Sequence, residues 1–161
     1  MEVLLTAYEK PVFNAAFRML GNADDAADAT QNVFLKAFEN IKTFDPGRRF
    51  FSWIYRIAIN ESIDQLKRRD RMTRVDQEIP DTTPAPLQRA VASQVDQQIQ
   101  TALLSLSSEY RAVIVLHYFC DCDYRQISDT LDIPEKTVKS RLYGARQQLK
   151  AQLSRHGILS S

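Results

Sequence analysis

Residues 123–153, DYRQISDTLDIPEKTVKSRLYGARQQLKAQL, decide the fold of this chain, because they carry the signals of two helices that meet at a tight turn. Asp123 is a favourable N-cap and Gln126, three residues later, completes a capping box, so a short helix is predicted to begin at the next residue after Asp123. Asp132 is the predicted turn residue, since aspartate tolerates a left-handed backbone better than most residues. A second helix is predicted to begin near Glu135.

The second helix of this stretch has two unlike faces. Apolar residues recur every three or four positions and predict a stripe that faces partner helices: Val138, Leu142, Ala145, Leu149 and Leu153. Six basic residues and one acid lie between Glu135 and Arg155, although the whole chain has a formal net charge of only +1. Such a local excess of positive charge is typical of a surface that binds a polyanion.

A short helix, a turn and a longer basic helix are typical of the helix-turn-helix unit, whose second helix enters the major groove of DNA with its first turns at the base edges. The candidates for direct DNA contact are therefore Lys136, Lys139, Ser140 and Arg141. A solvated basic face on an ordinary helical hairpin is the alternative interpretation of the charge pattern alone. The capping box, the turn, the apolar stripe and the one-sided charge occur together, and their coincidence favours DNA binding.

Composition bounds the class of protein. The chain has 161 residues, of which 44% are hydrophobic and 25% charged, which suits one globular domain or two small ones. Glycine is scarce and apolar residues rarely alternate with period two, so we predict an all-α fold. Apolar runs stay well short of a membrane span, and the N-terminus lacks the pattern of a signal peptide. We therefore expect a cytoplasmic protein with no direct membrane insertion.

His117, Cys120 and Cys122 lie close together in the sequence HYFCDC. A histidine and two cysteines at this spacing are compatible with a zinc or redox site, but a fourth ligand is not evident, and His156 is far along the chain. We expect reduced thiols at a buried helix end, with a thiol-dependent switch as the alternative. No metal and no cofactor is predicted.

Two helices are predicted before residue 43. Pro11 either starts or kinks the first, Gly21 ends it, and Asn22 caps the second, which is predicted to run to about Lys42. The second helix has a stripe that we expect to be buried: Thr30, Val33, Phe34, Ala37, Phe38 and Ile41. Its other face is acidic, with Asp24, Asp28 and Gln31 in a row flanked by Asp25 and Asn32. This acidic face is either an ordinary solvated surface or a docking surface for a basic partner, and the helix alone does not decide between them.

A long helix is predicted from about Phe51 to Arg69. It carries a polar row with one aromatic residue a turn before it: Trp53, Arg56, Asn60, Asp64 and Lys67. Aromatic rings beside cations suit the binding of single-stranded nucleic acid, because rings stack on exposed bases and cations hold phosphates. The alternative is that Trp53 belongs to the core and the basic helix end is a favourable C-terminal charge.

The composition changes after this helix. Residues 70–98 contain Pro80, Pro84 and Pro86 and a local acidic excess, which predicts an extended linker. Beyond it, helical periodicity resumes and Ser107 is predicted to cap a helix. We therefore predict two small helical domains, at residues 1–70 and 98–155, joined by a linker at 71–97 and followed by a tail at 156–161.

With these residues in view, the chain resembles the extracytoplasmic-function group of bacterial RNA polymerase sigma factors. The motifs that carry the resemblance are YEKPVFNAAFRMLGNADDAADATQNVFLKAF at 8–38, FFSWIYRIAINESIDQLKRR at 50–69, LSSEYRAVIVLHYF at 106–119 and YRQISDTLDIPEKTVKSRLYGARQQLK at 124–150. The chain departs from the family pattern in two places. Cys120-Asp121-Cys122 stands where a turn with Gly or Glu is usual. The N-terminus begins close to the first motif, so a short leading segment is expected to be absent.

The resemblance implies a sigma-two-like domain, a sigma-four-like domain and a flexible linker that threads the polymerase cleft. It implies docking on the beta-prime clamp coiled coil of core RNA polymerase through Asp25, Asp28, Gln31 and Phe34. Contact with the beta flap, and control by an anti-sigma factor that holds the protein at the inner face of the membrane, are further expectations.

The resemblance also implies two DNA sites. The minus-ten element would be melted, and its non-template strand held, by Trp53, Arg56, Asn60, Asp64, Lys67 and Arg68, with Asn60 at a position that contacts an extruded base. The minus-thirty-five duplex would be bound by Lys136, Thr137, Lys139, Ser140 and Arg141. The function expected is that of a non-enzymatic sigma factor, since a GxxxxGK[ST] nucleotide-binding motif is lacking.

Two alternatives remain open from the residues. A DNA-binding regulator of another class would use the helix-turn-helix alone, bind duplex DNA without polymerase and usually form a dimer. An enzyme would use His117, Cys120 and Cys122 as a metal or thiol centre.

Overall fold

The computed structural model describes residues 2–45, 49–76 and 93–155, and all of its regular structure is helical. The first part of the chain forms α1 (Glu2–Leu20), α2 (Ala23–Glu39), a short 3-10 turn (Ile41–Thr43) and α3 (Phe50–Asp76). The later part forms α4 (Gln94–Leu104), α5 (Ser108–Ile114), a π-helical turn (Val115–Phe119), α6 (Tyr124–Leu131) and α7 (Glu135–Arg155). The predicted all-α fold is confirmed.

Local capping signals position most helix ends as predicted. Gly21 ends α1 with φ of 75°, and the Asn22 side chain accepts a hydrogen bond from the Asp25 amide at the start of α2. Ser107 caps α5 in the same way. The capping box is complete, since Asp123 and Gln126 each accept a hydrogen bond from the other's backbone N–H at 2.8 Å.

Three boundaries differ from the predictions. Helix α2 ends at Glu39 rather than near Lys42, because the Asn40 side chain donates to the Lys36 carbonyl at 2.8 Å and starts the 3-10 turn. Helix α3 runs to Asp76 rather than Arg69, since no helix breaker occurs there and Arg69 pairs with Asp25 on α2. Helix α4 starts at Gln94, inside the predicted linker at 71–97 and ahead of the predicted start of the second domain at residue 98, because Ser93 caps it.

Some predictions lie outside the described residues. These are the central part of the predicted linker at 77–92, the loop residues 46–48 and the tail at 156–161 with His156. Among the helices of the described part, none has the length and apolarity to cross a membrane.

A continuous core joins the helices of both parts of the chain. It contains Met19 and Leu20 from α1, Ile59 from α3, and Leu103 and Leu116 from the later helices, all at most 1% exposed. A smaller apolar cluster lies between α1, α2 and α3 around Val33 and Ile54. The two predicted domains therefore pack against each other in this structure.

A buried carboxylate ties α2 to α3. Glu61 on α3 is 1% exposed and accepts hydrogen bonds from Asn32 at 3.0 Å, from Arg68 at 3.2 Å and from the Lys36 ammonium. Burial acts to raise the pKa of Glu61, but the hydrogen bonds from Lys36, Asn32 and Arg68 and the charge of Lys36 outweigh burial and lower that pKa. The ionised form is therefore the stabilising one.

We expect Glu61→Gln to lower the free energy of unfolding by about 1–3 kcal/mol at pH 7, because charge-assisted hydrogen bonds to a buried group are lost. A folded-state pKa below the unfolded value of about 4.3 means that this stability is present above that pH and is lost as pH falls through the folded-state pKa. Urea unfolding at a series of pH values measures the gap between the two proteins.

The gap should shrink below about pH 4. A matched control is Glu39→Gln, an exposed acid at the end of α2, for which we expect a change within about 0.5 kcal/mol. A gap for Glu61→Gln that stays constant down to pH 3 would contradict the role of the ionised carboxylate.

Candidate nucleic-acid interface

The exposed side of α3 carries an aromatic and polar group of residues. The Trp53 ring lies 5.2 Å from the Phe44 ring and 5.6 Å from the Phe50 ring, measured between centroids, and Tyr8 contacts Phe50 at 5.2 Å. Trp53 remains partly exposed at the edge of this aromatic cluster. The Trp53 ring is thus packed on one side and accessible on the other, so part of it belongs to the core and its role in nucleic-acid binding stays a prediction.

A cavity of about 560 Å³ opens beside Trp53. On the α3 side it is lined by Arg49, Ser52, Trp53, Arg56, Ile57 and Asn60, together with Asn40 and Thr43. The wall opposite α3 comes from the start of the helix-turn-helix: Asp123, Arg125, Gln126 and Asp129. The α3 side of the cavity has both aromatic surface and positive charge, which are the properties that hold an unstacked base and its phosphate, whereas the opposite wall carries the carboxylates of Asp123 and Asp129.

The structure brings together three of the six residues predicted to bind the minus-ten strand. Trp53, Arg56 and Asn60 line the cavity, whereas Asp64 and Lys67 are exposed further along the same face of α3. Arg56 forms an ion pair with Asp132 at 3.7 Å. Arg68 is exposed, but its guanidinium is bonded to Glu61.

The helix-turn-helix has the geometry expected from its sequence. Asp132 adopts the left-handed conformation, with φ of 56° and ψ of 50°, and Val138, Leu142 and Ala145 of α7 are fully buried. The Ser128 hydroxyl donates to the Ile133 carbonyl and fixes the turn. This turn sets the angle at which α7 leaves α6.

The first turns of α7 present positive charge and hydroxyl groups to solvent. Lys136, Lys139 and Ser140 are exposed, and Thr137 is partly so. Arg141 is turned away from them and lies 3.9 Å from Glu109 on α5. Of the five predicted residues, four therefore share an accessible surface and Arg141 borders it.

On the predicted docking face of α2, some residues are paired within the protein and others are free to solvent. Asp25 is paired with Arg69, whereas Asp28 and Gln31 are exposed. Phe34 lies partly exposed in a groove of about 730 Å³ between α1 and α2, together with Gln31 and Phe13.

The expectation that Phe38 is buried is wrong, since 63% of it is exposed. Val33 and Ala37 face the core, and Phe34 and Phe38 follow each of them by one residue, which rotates them about 100° to the open groove. Leu35, which is 57% exposed beside them, was not identified from the sequence. A contiguous exposed apolar surface of this kind is typical of an interaction site.

Comparison with known proteins identifies the fold and the family. The family model "Sigma-70 region 2" matches residues 4–72, and "Sigma-70, region 4" matches residues 96–149. The chain is 33% identical to the ECF RNA polymerase sigma factor SigW of Bacillus subtilis, over 93% of this chain and 87% of that protein. The chain belongs to the extracytoplasmic-function family of RNA polymerase sigma factors.

Further relatives agree with this family. The ECF sigma factor SigE of Mycolicibacterium smegmatis is 35% identical over 95% of this chain and 61% of its own length. Among solved structures, the sigma factor RpoE of Bartonella quintana, in complex with the anti-sigma factor NepR, superposes with a TM-score of 0.78 at 24% identity, covering 95% and 96% of the two chains. The structure of CnrH with the cytosolic domain of CnrY gives 0.70 at 24% identity, covering 96% and 87%. These two structures share the fold of this sigma factor.

Membership of this family establishes the general function of the chain in transcription. A sigma factor binds core RNA polymerase and promoter DNA and takes part in the initiation of transcription. Proteins of this family are polymerase subunits and not catalysts.

The cysteine pair lies where the two parts of this sigma factor meet. Cys122 is 2% exposed and its thiol points at the Cys120 carbonyl at 3.7 Å, while Cys120 lies near Tyr55 of α3. The Cys122 carbonyl is 2.9 Å from Nδ1 of His117. The described residues contain no cluster of three or more metal-ligand side chains.

Burial makes both thiols poor nucleophiles. It raises the pKa of Cys120 to about 12, with a further contribution from Cys122, and the pKa of Cys122 to about 11, with contributions from Asp123 and Asp121. The thiolate is the reactive form, so thiols with these pKa values react slowly at neutral pH.

We expect iodoacetamide to alkylate both cysteines at least about 100-fold more slowly in the folded protein than in urea at pH 8, since an ordinary thiol with a pKa of about 8.5 is about one-quarter ionised there. Mass spectrometry of a time course measures the two rates. Cys120→Ser and Cys122→Ser variants assign each rate to one residue, and native labelling within tenfold of the unfolded rate would contradict the expectation.

Proposed function

We propose that this sigma factor divides its work between two helical domains. In this proposal residues 1–70 dock on core polymerase and melt the minus-ten element, residues 71–97 form the linker, and residues 98–155 bind the minus-thirty-five element, with 156–161 as a tail. The observation that carries the proposal is the arrangement on α3, where Trp53, Arg56 and Asn60 lie together on one surface of aromatic and cationic character.

In this proposal the two strands of the minus-ten duplex separate because binding energy offsets the cost of opening the duplex. Taking a base out of the stack costs a few kcal/mol, and stacking on an aromatic side chain returns about 1–3 kcal/mol per base. Trp53 offers its exposed edge for stacking, and Asn60 has both a donor and an acceptor for a base edge. Arg56, Lys67 and Arg68 hold phosphates, and Asp64 borders the site.

The minus-thirty-five duplex binds to the first turns of α7 in this proposal. Lys136 and Lys139 are exposed and form no ion pair with the described residues, so both ammonium groups are available to DNA. Ser140 and Thr137 add hydroxyl groups beside them. Arg141 reaches DNA after leaving Glu109, an exchange that costs little because that pair is only partly buried.

Core polymerase docks on α2 in this proposal. Asp28 and Gln31 meet the basic side of the beta-prime clamp, and Phe34, with Phe38 beside it, meets its apolar side. Asp25 contributes mainly by fixing α2 against α3 through Arg69. The second domain contacts the beta flap.

We infer that an anti-sigma protein controls this chain. Two structures with the same fold are complexes of that kind, with NepR and with the cytosolic domain of CnrY. We place the sigma factor in the cytoplasm, where it meets core polymerase, or at the inner face of the membrane when an anti-sigma factor holds it there. No catalytic centre of its own is proposed.

In run-off transcription with core RNA polymerase and a library of promoter fragments, we expect Asn60→Ala and Lys139→Ala each to reduce initiation about fivefold or more, because a base or DNA contact worth about 1–3 kcal/mol is removed. Matched controls are Asn14→Ala, an exposed amide on α1, and Arg155→Ala, a cation at the far end of α7. Both controls should initiate like the wild type.

The same experiment distinguishes a sigma factor from a DNA-binding regulator of another class. A regulator that uses only the helix-turn-helix would protect duplex DNA without polymerase and would not direct core polymerase to initiate. That result would overturn the roles proposed for α3, whereas loss of initiation with Lys139→Ala alone would overturn only the role of Asn60.

A further inference from the structure

The cavity beside Trp53 has one wall that the proposed DNA contacts leave unexplained. Its α3 side is aromatic and cationic, whereas its α6 side carries the carboxylates of Asp123 and Asp129 together with Arg125. Deoxyribose within a DNA strand has no hydroxyl group that could donate to a carboxylate, and the phosphates of the strand are repelled by one. The α6 wall therefore suits a ligand that has hydrogen-bond donors as well as negative charge.

Two residues of the α6 wall are available to such a ligand. Asp123 and Gln126 are used within the chain, since each accepts a hydrogen bond from the other's backbone N–H at 2.8 Å. Arg125 and Asp129 are exposed and form no ion pair with any described residue. A cation and a carboxylate that are not committed to the capping box thus line this side of the cavity.

The α3 side offers complementary groups. Part of the Trp53 ring is accessible, and Arg49, just before α3, is exposed and has no ion-pair partner among the described residues. Arg56 pairs with Asp132 at 3.7 Å, and the two side chains are 40% and 72% exposed. Exchanging that carboxylate for another anion costs little, because an exposed ion pair contributes little free energy. The cavity therefore has one aromatic surface and cations on both walls.

These groups match the parts of a nucleotide. An aromatic side chain stacks on any base, and an arginine binds phosphate through two parallel N–H donors. A carboxylate accepts hydrogen bonds from ribose hydroxyls, as the acidic residue of dinucleotide-binding folds does. The cavity volume of about 560 Å³ lies within the range of about 300–1,000 Å³ that is usual for small-molecule sites. A deoxyribonucleotide would satisfy the ring and the cations but would lack the hydroxyl that suits Asp129.

We propose that the cavity between α3 and α6 binds a free ribonucleotide. Its base stacks on Trp53, its ribose hydroxyls donate to Asp129, and its phosphates lie between Arg49 and Arg125. Binding itself does not depend on the function proposed for α3. One consequence does rest on that function: a bound nucleotide takes the accessible part of Trp53, so it competes with a base of the minus-ten strand and lowers the affinity of the chain for that strand.

Binding is tested with the purified full chain and a panel of ATP, ADP, GTP and GDP with their 2′-deoxy counterparts. Isothermal titration calorimetry measures each affinity. Trp53 is the only tryptophan of the chain, so quenching of tryptophan fluorescence reports whether the base stacks there. We expect at least one ribonucleotide to bind with a Kd below about 1 mM and to quench the fluorescence. Its 2′-deoxy counterpart should bind about tenfold more weakly, because a hydrogen bond to a charged group is lost.

Two outcomes would overturn the inference. The first is that no ribonucleotide of the panel binds or quenches up to about 1 mM. The second is that a ribonucleotide and its 2′-deoxy counterpart bind equally, since the cavity would then hold a nucleotide only as the α3 surface holds a unit of a DNA strand.

Variants of the α6 wall locate the site without changing the residues proposed to contact DNA. Arg125→Ala and Asp129→Ala should each weaken the ribonucleotide about tenfold, because each removes a charge-assisted hydrogen bond. Asp129→Ala should also abolish the preference for ribose over deoxyribose. Matched controls are Arg155→Ala and Asp70→Ala, which remove an exposed residue of the same type elsewhere. Unchanged affinity in both α6 variants, with circular dichroism like that of the wild type, would contradict the proposed site.

A further assay separates this inference from the proposed function. Open-complex formation with core polymerase and promoter DNA is followed without added nucleotides, where Arg125→Ala and Asp129→Ala should behave like the wild type. If the wild type forms no open complex, the proposed function fails, while calorimetry and quenching still test the cavity. If open complexes form normally and no nucleotide quenches Trp53, the proposed function stands and the nucleotide site is overturned.

Discussion

The end of α1 is the point on which the arrangement of the whole molecule depends. Three carbonyl groups there receive hydrogen bonds from Gln100 and Arg111, which lie on the other side of the predicted linker. Arg111 also donates to the carbonyls of Leu103, Leu104 and Leu106. One guanidinium thus contacts both the turn between α4 and α5 and the end of α1. The same buried group therefore stabilises the turn within the second domain and the packing of that domain on the first.

Signals that act within one turn were enough to predict most of the fold. Gly21, Asn22, Ser107 and the pair Asp123 and Gln126 each satisfy backbone groups a few residues away, so their roles can be recognised in the sequence. The buried stripe of α7 and the exposed cations of its first turns follow from helical periodicity in the same way. For the candidate site, periodicity grouped the residues on α3 but could not identify the wall that faces them.

The unpredicted features depend on contacts between residues far apart in sequence. The burial of Glu61 needs α2 beside α3, and Phe38 is exposed because the groove beside α1 is not filled. The π-helical turn is a third case: the Cys120 amide reaches the Val115 carbonyl at 3.1 Å, and the extra residue it accommodates brings Phe119 next to Arg18. Each of these depends on a neighbour that local sequence does not specify.

The distribution of ion pairs explains how a nearly neutral chain can present a DNA-binding surface. Asp25 and Glu61 are neutralised by Arg69, Arg68 and Lys36 inside the first domain, while Lys136 and Lys139 form no ion pair with any described residue. Acids and bases are almost equal in number, but these two acids are paired within the first domain while the two lysines of α7 face solvent. Positive charge that is free at the surface is what attracts a polyanion, so net charge alone understates the affinity of such a chain for DNA.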